Sequence, residues 1–334
     1  MFNKDEITLQ TLTASVNKVP FVETTLSRFF RVGRIRSTQA IVEASSTGLT
    51  LIDPSARGVA APNATGLGPN RGQYVIQSVK LGRVVNIAAA DFQDVRAFGS
   101  ESLPETFDEV LGRNTATVRR WIEHTHENFR FNTLKGKQVA ADGVTVLTDF
   151  YALAGVDEPD EVEVDLATAT RAELQNMFAD MLDYSRSGLG IDADSAQAYV
   201  VLYGKNAWRA FRNNDAVAAL YDRFQDGAVN RQGVGGQRAN FELFDLVHVQ
   251  YFGAIGDDEF RLVPAGVPDL FRTDFTPLDA PEAANTLGLP LYATPEIAPF
   301  GKGYAVELAS LPIHYVTRPE CLIGGRHVPT VVTP

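Results

Sequence analysis

Cysteine, histidine, basic charge and long apolar runs are all scarce in this chain, and each scarcity removes a class of function. One cysteine among 334 residues, Cys321, excludes an intrachain disulfide framework and a cysteine-rich zinc site. Thirty basic side chains against forty-one acidic ones leave a formal charge of −11, so the bulk charge opposes nonspecific binding to a polyanion. No stretch approaches the ~18 consecutive apolar residues of a membrane span. The opening MFNKDEITLQ has no apolar run after its lysine and does not read as a secretory signal. A G-x-S-x-G nucleophile elbow and a P-loop are missing as well; GVGGQR at 233–238 lacks the G-K-[ST] ending and reads as a mobile loop. What is present is 45% apolar content, enough for a substantial core and, at ~100–200 residues per domain, for about two domains. The expectation is a soluble protein without cofactors, made in a reducing compartment.

Two of the five histidines lie close together in WIEHTHEN, residues 121–128. Glu123, His126 and Glu127 fall at i, i+3 and i+4 and share a helix face, so a metal-dependent enzyme built on that face is one alternative. Two facts oppose it. His124 and His126 point about 200° apart on a helix and cannot share a metal. Arg130, a permanent cation, stands where the H-E-x-x-H motif places its second histidine. The preferred reading is the polar circumference of a helix, with Ile122, Thr125 and Phe129 turned inward. His248, His314 and His327 read as core or surface residues, and Cys321 as a packed one.

Along the chain, FVETTLSRFFRV separates Phe21, Leu26, Phe29 and Phe30 by polar residues that leave them without local cover. An arm of this kind needs a surface, on its own body or on another subunit. RVGRIR at 31–36 is a short basic patch that could touch DNA or an acidic neighbour. Residues 38–91 favour strands around the turn-rich DPSARGVAAPNATGLGPNRG, which suits a long hairpin with a loose tip. A capping box at Ser102 and Glu105 predicts a helix over about 103–134, stopped by Gly136, with Gly112 a possible bend. Asp142-Gly143 predicts a hairpin. An acidic connector, VDEPDEVEVD, leads into a mixed region: a helix in RAELQNMFADMLDYSRSG, a buried strand in AYVVLYG, one helix in KNAWRAFRNNDAVAALYDRF, and strands in FELFDLVHVQYF and EFRLVP. GYAVELASLPIHYVTRP predicts a long strand broken at Pro312. The order is α+β, not alternating βαβ.

Five stretches, in this order, resemble the major capsid protein E family of lambda-like tailed bacteriophages, whose members have the Hong Kong 97 capsid fold. They are LSRFFR at 26–31, a long helix running into LKGK at 134–137 with a hairpin after it, LVPAGVPDLFRT at 262–273, NTLGLPLYA, and SLPIHYVTRPECLI at 310–323. The resemblance implies an N-terminal arm (1–37), an extended β-hairpin loop (38–91), a peripheral domain with a spine helix (92–164), an axial domain (165–293) and a return to the peripheral domain (294–334). It implies a major capsid protein, not an enzyme, that self-assembles as hexamers and pentamers of an icosahedral shell in the host cytoplasm and encloses double-stranded DNA nonspecifically. A separate scaffolding protein, a portal protein and a small decoration protein are implied as partners. No local motif assigns a lysine–asparagine crosslink; Lys80 reads as a surface lysine. Candidate assembly contacts are Phe21, Leu26, Arg28, Phe29, Phe30, Arg31, Trp121, Glu123 and His126. An encapsulin-like compartment with protein cargo is the remaining alternative.

Overall fold

A computed structural model describes residues 9–17, 24–46, 70–88, 91, 107–225, 241–298 and 303–329. Phe21, the Ser102/Glu105 capping box, the turn-rich hairpin tip and GVGGQR lie outside the described residues. The arm contains a short helix, α1 (Leu9–Asn17), a 3-10 turn at Ser27–Phe29 and strand β1 (Arg31–Arg34). Strands β2 (Gln39–Ser46) and β3 (Asn70–Gln77) then form the expected antiparallel hairpin, in register from Gln39↔Gln77 to Ser46↔Asn70. Its period-two alternation is visible in burial: Ala40, Val42, Tyr74 and Ile76 join the main core, whereas the directly opposed Ile41 and Val75 are exposed. Strand β4 (Leu81–Ala88) leaves the hairpin for another sheet.

Helix α2 (Phe107–Leu134) has 28 residues, roughly 42 Å at 1.5 Å per residue, and runs through Gly112 without a break. It ends as the sequence predicts. Gly136 adopts φ +80°, a conformation that costs glycine least, and its N–H bonds the Thr133 carbonyl at 3.0 Å. The Asp142-Gly143 turn joins β5 (Lys137–Val139) to β6 (Val146–Asp149); the Asp142 carboxylate accepts from the Val144 and Thr145 amides, both at 2.9 Å. Asp149 caps the short α3 (Phe150–Ala154), and the acidic connector leads to β7 (Val162–Val164). A capping box of Thr170 and Glu173 opens α4 (Arg171–Leu189), which is followed by the buried β8 (Ala198–Tyr203).

Two predicted elements are each split in two. The single helix expected over KNAWRAFRNNDAVAALYDRF is α5 (Lys205–Arg212) and α6 (Asp215–Gln225). Between them, buried Asn214 donates to the Leu166 and Ala169 carbonyls (3.0 and 2.8 Å) and accepts from the Ala216 amide (2.8 Å), capping α6. The single strand expected over FELFDLVHVQYF is a hairpin of β9 (Phe241–Leu243) and β10 (Leu246–Gln250). Phe244 and Asp245, at φ 53° and 62°, form the two-residue turn. The remaining strands are β11 (Glu259–Ala265), β12 (Phe271–Phe275), β13 (Tyr292–Ile297), β14 (Gly303–Ser310), β15 (Pro312–Val316) and β16 (Ile323–His327). The break before Pro312 moves the chain from one sheet to another, from β14 to β15.

Strands assemble as a six-stranded sheet, β7-β16-β11-β8-β10-β9, two three-stranded sheets, β1-β12-β15 and β13-β14-β4, and the hairpins β2-β3 and β5-β6. The pairing crosses chain intervals. Strand β16, near the C-terminus, lies in the sheet of β8 and β11, while β12 and β13 pair with strands flanking α2. The largest apolar cluster is continuous from Leu26 and Phe30 of the arm through the hairpin base and the end of α2 to Phe178, Tyr203 and Phe260. A second cluster packs Val16 of α1 and Val118 and Ile122 of α2 against Leu291, Ala293, Val306 and Leu308.

Candidate functional site

Helix α2 presents an apolar stripe (Val118, Ile122, Phe129) beside a polar one (Arg119, Glu123, His126, Glu127, Arg130), and both are buried. A buried polar stripe must find partners, because each unpaired polar atom costs roughly 1–3 kcal/mol. Every residue of this stripe reaches a distant part of the same chain or is paired to one that does. Arg119 bonds Glu123 at 2.9 Å and the Val16 carbonyl of α1 at 2.8 Å. Glu127 accepts from the Leu26 amide, the Tyr251 hydroxyl (both 3.1 Å) and the Thr24 hydroxyl, and Arg130 also donates to Thr24 at 3.1 Å. The helix is thereby tied to the arm at two points and to the loop after β10 at a third.

His126 sits in the middle of this stripe. Its Nδ1 is 2.9 Å from His314 Nε2, its Nε2 is 3.1 Å from Ser310 Oγ, and His314 Nδ1 is 2.8 Å from Thr273 Oγ1. Ser310 uses its one proton on the Pro290 carbonyl, 2.6 Å away, so it must accept from His126 Nε2–H. That leaves His126 Nδ1 to accept from His314 Nε2–H, and His314 Nδ1 to accept from the Thr273 hydroxyl. One direction of proton donation, Thr273 to His314 to His126 to Ser310 to Pro290, satisfies every group with both imidazoles neutral. Electrostatics agree. Burial, with the Arg130 charge adding to it, lowers the His126 pKa to about 3, and burial holds His314 well below its ordinary range.

The metal-dependent alternative built on Glu123, His126 and Glu127 is not favoured: both His126 nitrogens and both Glu127 oxygens are bonded to protein partners, and Glu123 pairs with Arg119. His126 and Glu123, expected as contacts to other subunits, are 2% and 8% exposed and bond within their own chain. The same holds for Leu26 and Phe30, whose uncovered look in the sequence is resolved by the chain's own core; Phe30 packs 5.4 Å from the Phe271 ring. Phe29 is half-buried against that core, under the Arg28 guanidinium at 4.9 Å. Arg31 is exposed and pairs with Asp269. Trp121 differs from its neighbours on α2, being 58% exposed on the helix's outer side. Thr24, Tyr251, Thr273 and Ser310 complete the buried network, and no local pattern marks them, because their partners are at least 20 residues away in sequence.

A family model described as phage major capsid protein E matches residues 8–326. The chain belongs to that family. Major capsid protein E members are structural proteins of the tailed-phage head, which favours a phage shell over a compartment for protein cargo. Among solved structures, a prophage protein of E. coli CFT073 assigned to the capsid is 13% identical, with 96% of this chain and 99% of that one covered and a TM-score of 0.58. The mature capsid of bacteriophage PhiM1 is 11% identical over 94% of this chain and 89% of that one, with a TM-score of 0.54. The capsid of cyanophage P-SCSP1u is 12% identical over 92% and 89%, with a TM-score of 0.53. At these identities the likeness shows the fold, which is of the Hong Kong 97 type. No curated protein matches the chain. Among the described residues no helix is long and apolar enough to cross a membrane.

Proposed function

We propose that this major capsid protein acts by association alone, copies joining as hexamers and pentamers of a closed head shell assembled in the host cytoplasm. Family membership over 8–326 carries the reading. The interior supports it: the buried imidazoles, carboxylates and guanidinium of α2 are spent on tying arm, helix and sheet into one subunit. A rigid subunit suits a lattice, because many modest contacts add only if each is presented in a fixed geometry. The domain roles follow the same pattern, with α2 as spine, the β2-β3 hairpin as extended loop and the six-stranded sheet as the body around the capsomer axis. A scaffolding protein, a portal and a decoration protein act as separate partners, and double-stranded DNA is enclosed without sequence recognition, in keeping with the charge of −11. Electron microscopy of the protein co-expressed with the scaffolding gene of its phage tests this. Closed shells of uniform size are expected; a monomer under all such conditions would overturn it, and shells filled with protein cargo in the native source would replace it.

A further inference from the structure

The basic patch RVGRIR remains without a role inside the subunit. Strand β1 is the open edge of its sheet, and its two faces differ. Gly33 and Ile35 turn inward, Gly33 against Asp274 and Ile35 against the main core. Val32, Arg34 and, just past the strand, Arg36 alternate onto the other face, and all three are exposed. Arg31 is engaged by Asp269 through both carboxylate oxygens, at 2.9 and 3.0 Å. Arg34 and Arg36 have no ion-pair partner among the described residues. Two free cations beside an exposed valine are few for holding DNA, where retention rests on roughly 6–10 phosphate contacts. They match the rim of a protein interface, opposite charge around an apolar centre.

The complementary surface is on the same chain. The β5-β6 hairpin exposes Val144, Val146 and Leu147, at 81%, 50% and 42%. Lys137 of β5 bonds Glu158, which fixes the acidic connector alongside that hairpin. On either side of Glu158, Asp157 and Asp160 are exposed and have no ion-pair partner among the described residues. We propose that the outer face of β1 on one copy docks on the β5-β6 hairpin and acidic connector of a second copy, with Arg34 and Arg36 meeting Asp157 and Asp160 around Val32 and Val146. The two surfaces are different, so the contact is head-to-tail and repeats from subunit to subunit. It rests on the shell reading above.

Charge reversal tests it. Arg34→Glu with Arg36→Glu, and separately Asp157→Lys with Asp160→Lys, are each expected to lower the assembled fraction in sedimentation about tenfold while leaving the circular-dichroism melt of the subunit unchanged. The chain carrying all four changes is expected to regain assembly. Reversals that assemble like the parent, or a fourfold variant no better than either pair, overturn the contact; lost DNA retention with normal particle yield overturns it in favour of DNA. If a reversed chain does not fold, Arg34→Cys with Asp157→Cys serves instead, since the native Cys321 is fully buried. Mild oxidation of particles should then give a ladder of linked copies on a non-reducing gel, and monomers alone would overturn the contact. A parent chain that never assembles defeats the shell reading itself, a result distinct from all of these.

Discussion

His126 and His314 show how one buried bond sequence imposes a protonation state. A proton added to His126 Nδ1 would set a donor against the His314 Nε2–H, and a buried imidazolium at either position would stand near the Arg130 charge. Both histidines have folded pKa values depressed below their unfolded value near 6.5, so the stability they contribute is present above about pH 6.5 and lost as pH falls. For His126 the loss continues toward a folded value of about 3. At its steepest the loss is about 1.4 kcal/mol per pH unit for each histidine. The buried His248, lowered to about 4 by burial, adds a parallel loss. Thermal melts of the isolated subunit should therefore fall between pH 7 and pH 5, and by less in a His126→Gln, His314→Gln double variant, which keeps only the His248 contribution. An equal fall in both proteins would show that the pair is not held neutral.

Elements in this chain end where a side chain replaces the backbone's own partners, and Asn214 is the clearest case. Helical periodicity runs from Lys205 to Gln225 with no glycine or proline to interrupt it. The break is made by an asparagine whose carbonyl oxygen caps α6 while its amide ties the segment after β7 to the helix pair. Asn214→Ala removes the cap and leaves buried carbonyls without their donor. A loss of about 2–4 kcal/mol in urea unfolding is expected, larger than the ~1 kcal/mol of an ordinary cap because burial adds the cost of unsatisfied carbonyls. Asn214→Asp, which keeps the capping oxygen but sets a second acceptor against those buried carbonyls, is expected to lose at least as much. The β9-β10 turn follows the same logic from the other side: two non-glycine residues at positive φ are held where Phe244 stacks on Phe178, 6.1 Å between centroids. Periodicity reads through such a turn as one strand.

At the scale of the whole molecule, the arm is part of the subunit's own packing. Its described residues lie on the chain's own body, with Asn17 bonded to the Leu291 carbonyl at 2.7 Å and Leu26 and Phe30 in the main core. Phe30→Ala is therefore expected to cost the subunit itself about 3–5 kcal/mol, the usual penalty for emptying a buried aromatic site. Trp121→Ala is expected to leave the melt within about 0.5 kcal/mol of the parent and to lower particle yield, since Trp121 is a large aromatic exposed on α2. Chemical denaturation beside sedimentation separates the two. A Phe30 variant of normal stability that fails only in assembly would return this residue to the interface.

Much of the architecture was legible along the chain because it depends on local signals. Gly136 stops α2, Asp142-Gly143 turns a hairpin, and the pause before Pro312 separates β14 from β15. The family resemblance rested on other marks, the five stretches from LSRFFR to SLPIHYVTRPECLI taken in their order. The sequence by itself determined element type, the α+β order and the absence of a cysteine framework, since these follow from periodicity, turn chemistry and composition. Only the tertiary structure decided the fate of WIEHTHEN: whether Glu123, His126 and Glu127 faced solvent, a metal or protein depended on Val16 and Thr24 of the arm, Tyr251 after β10 and His314 of β15, which folding brings to one helix. A polar side chain carries the same letter whether its partner is water or a histidine 188 residues away, and burial alone distinguishes them.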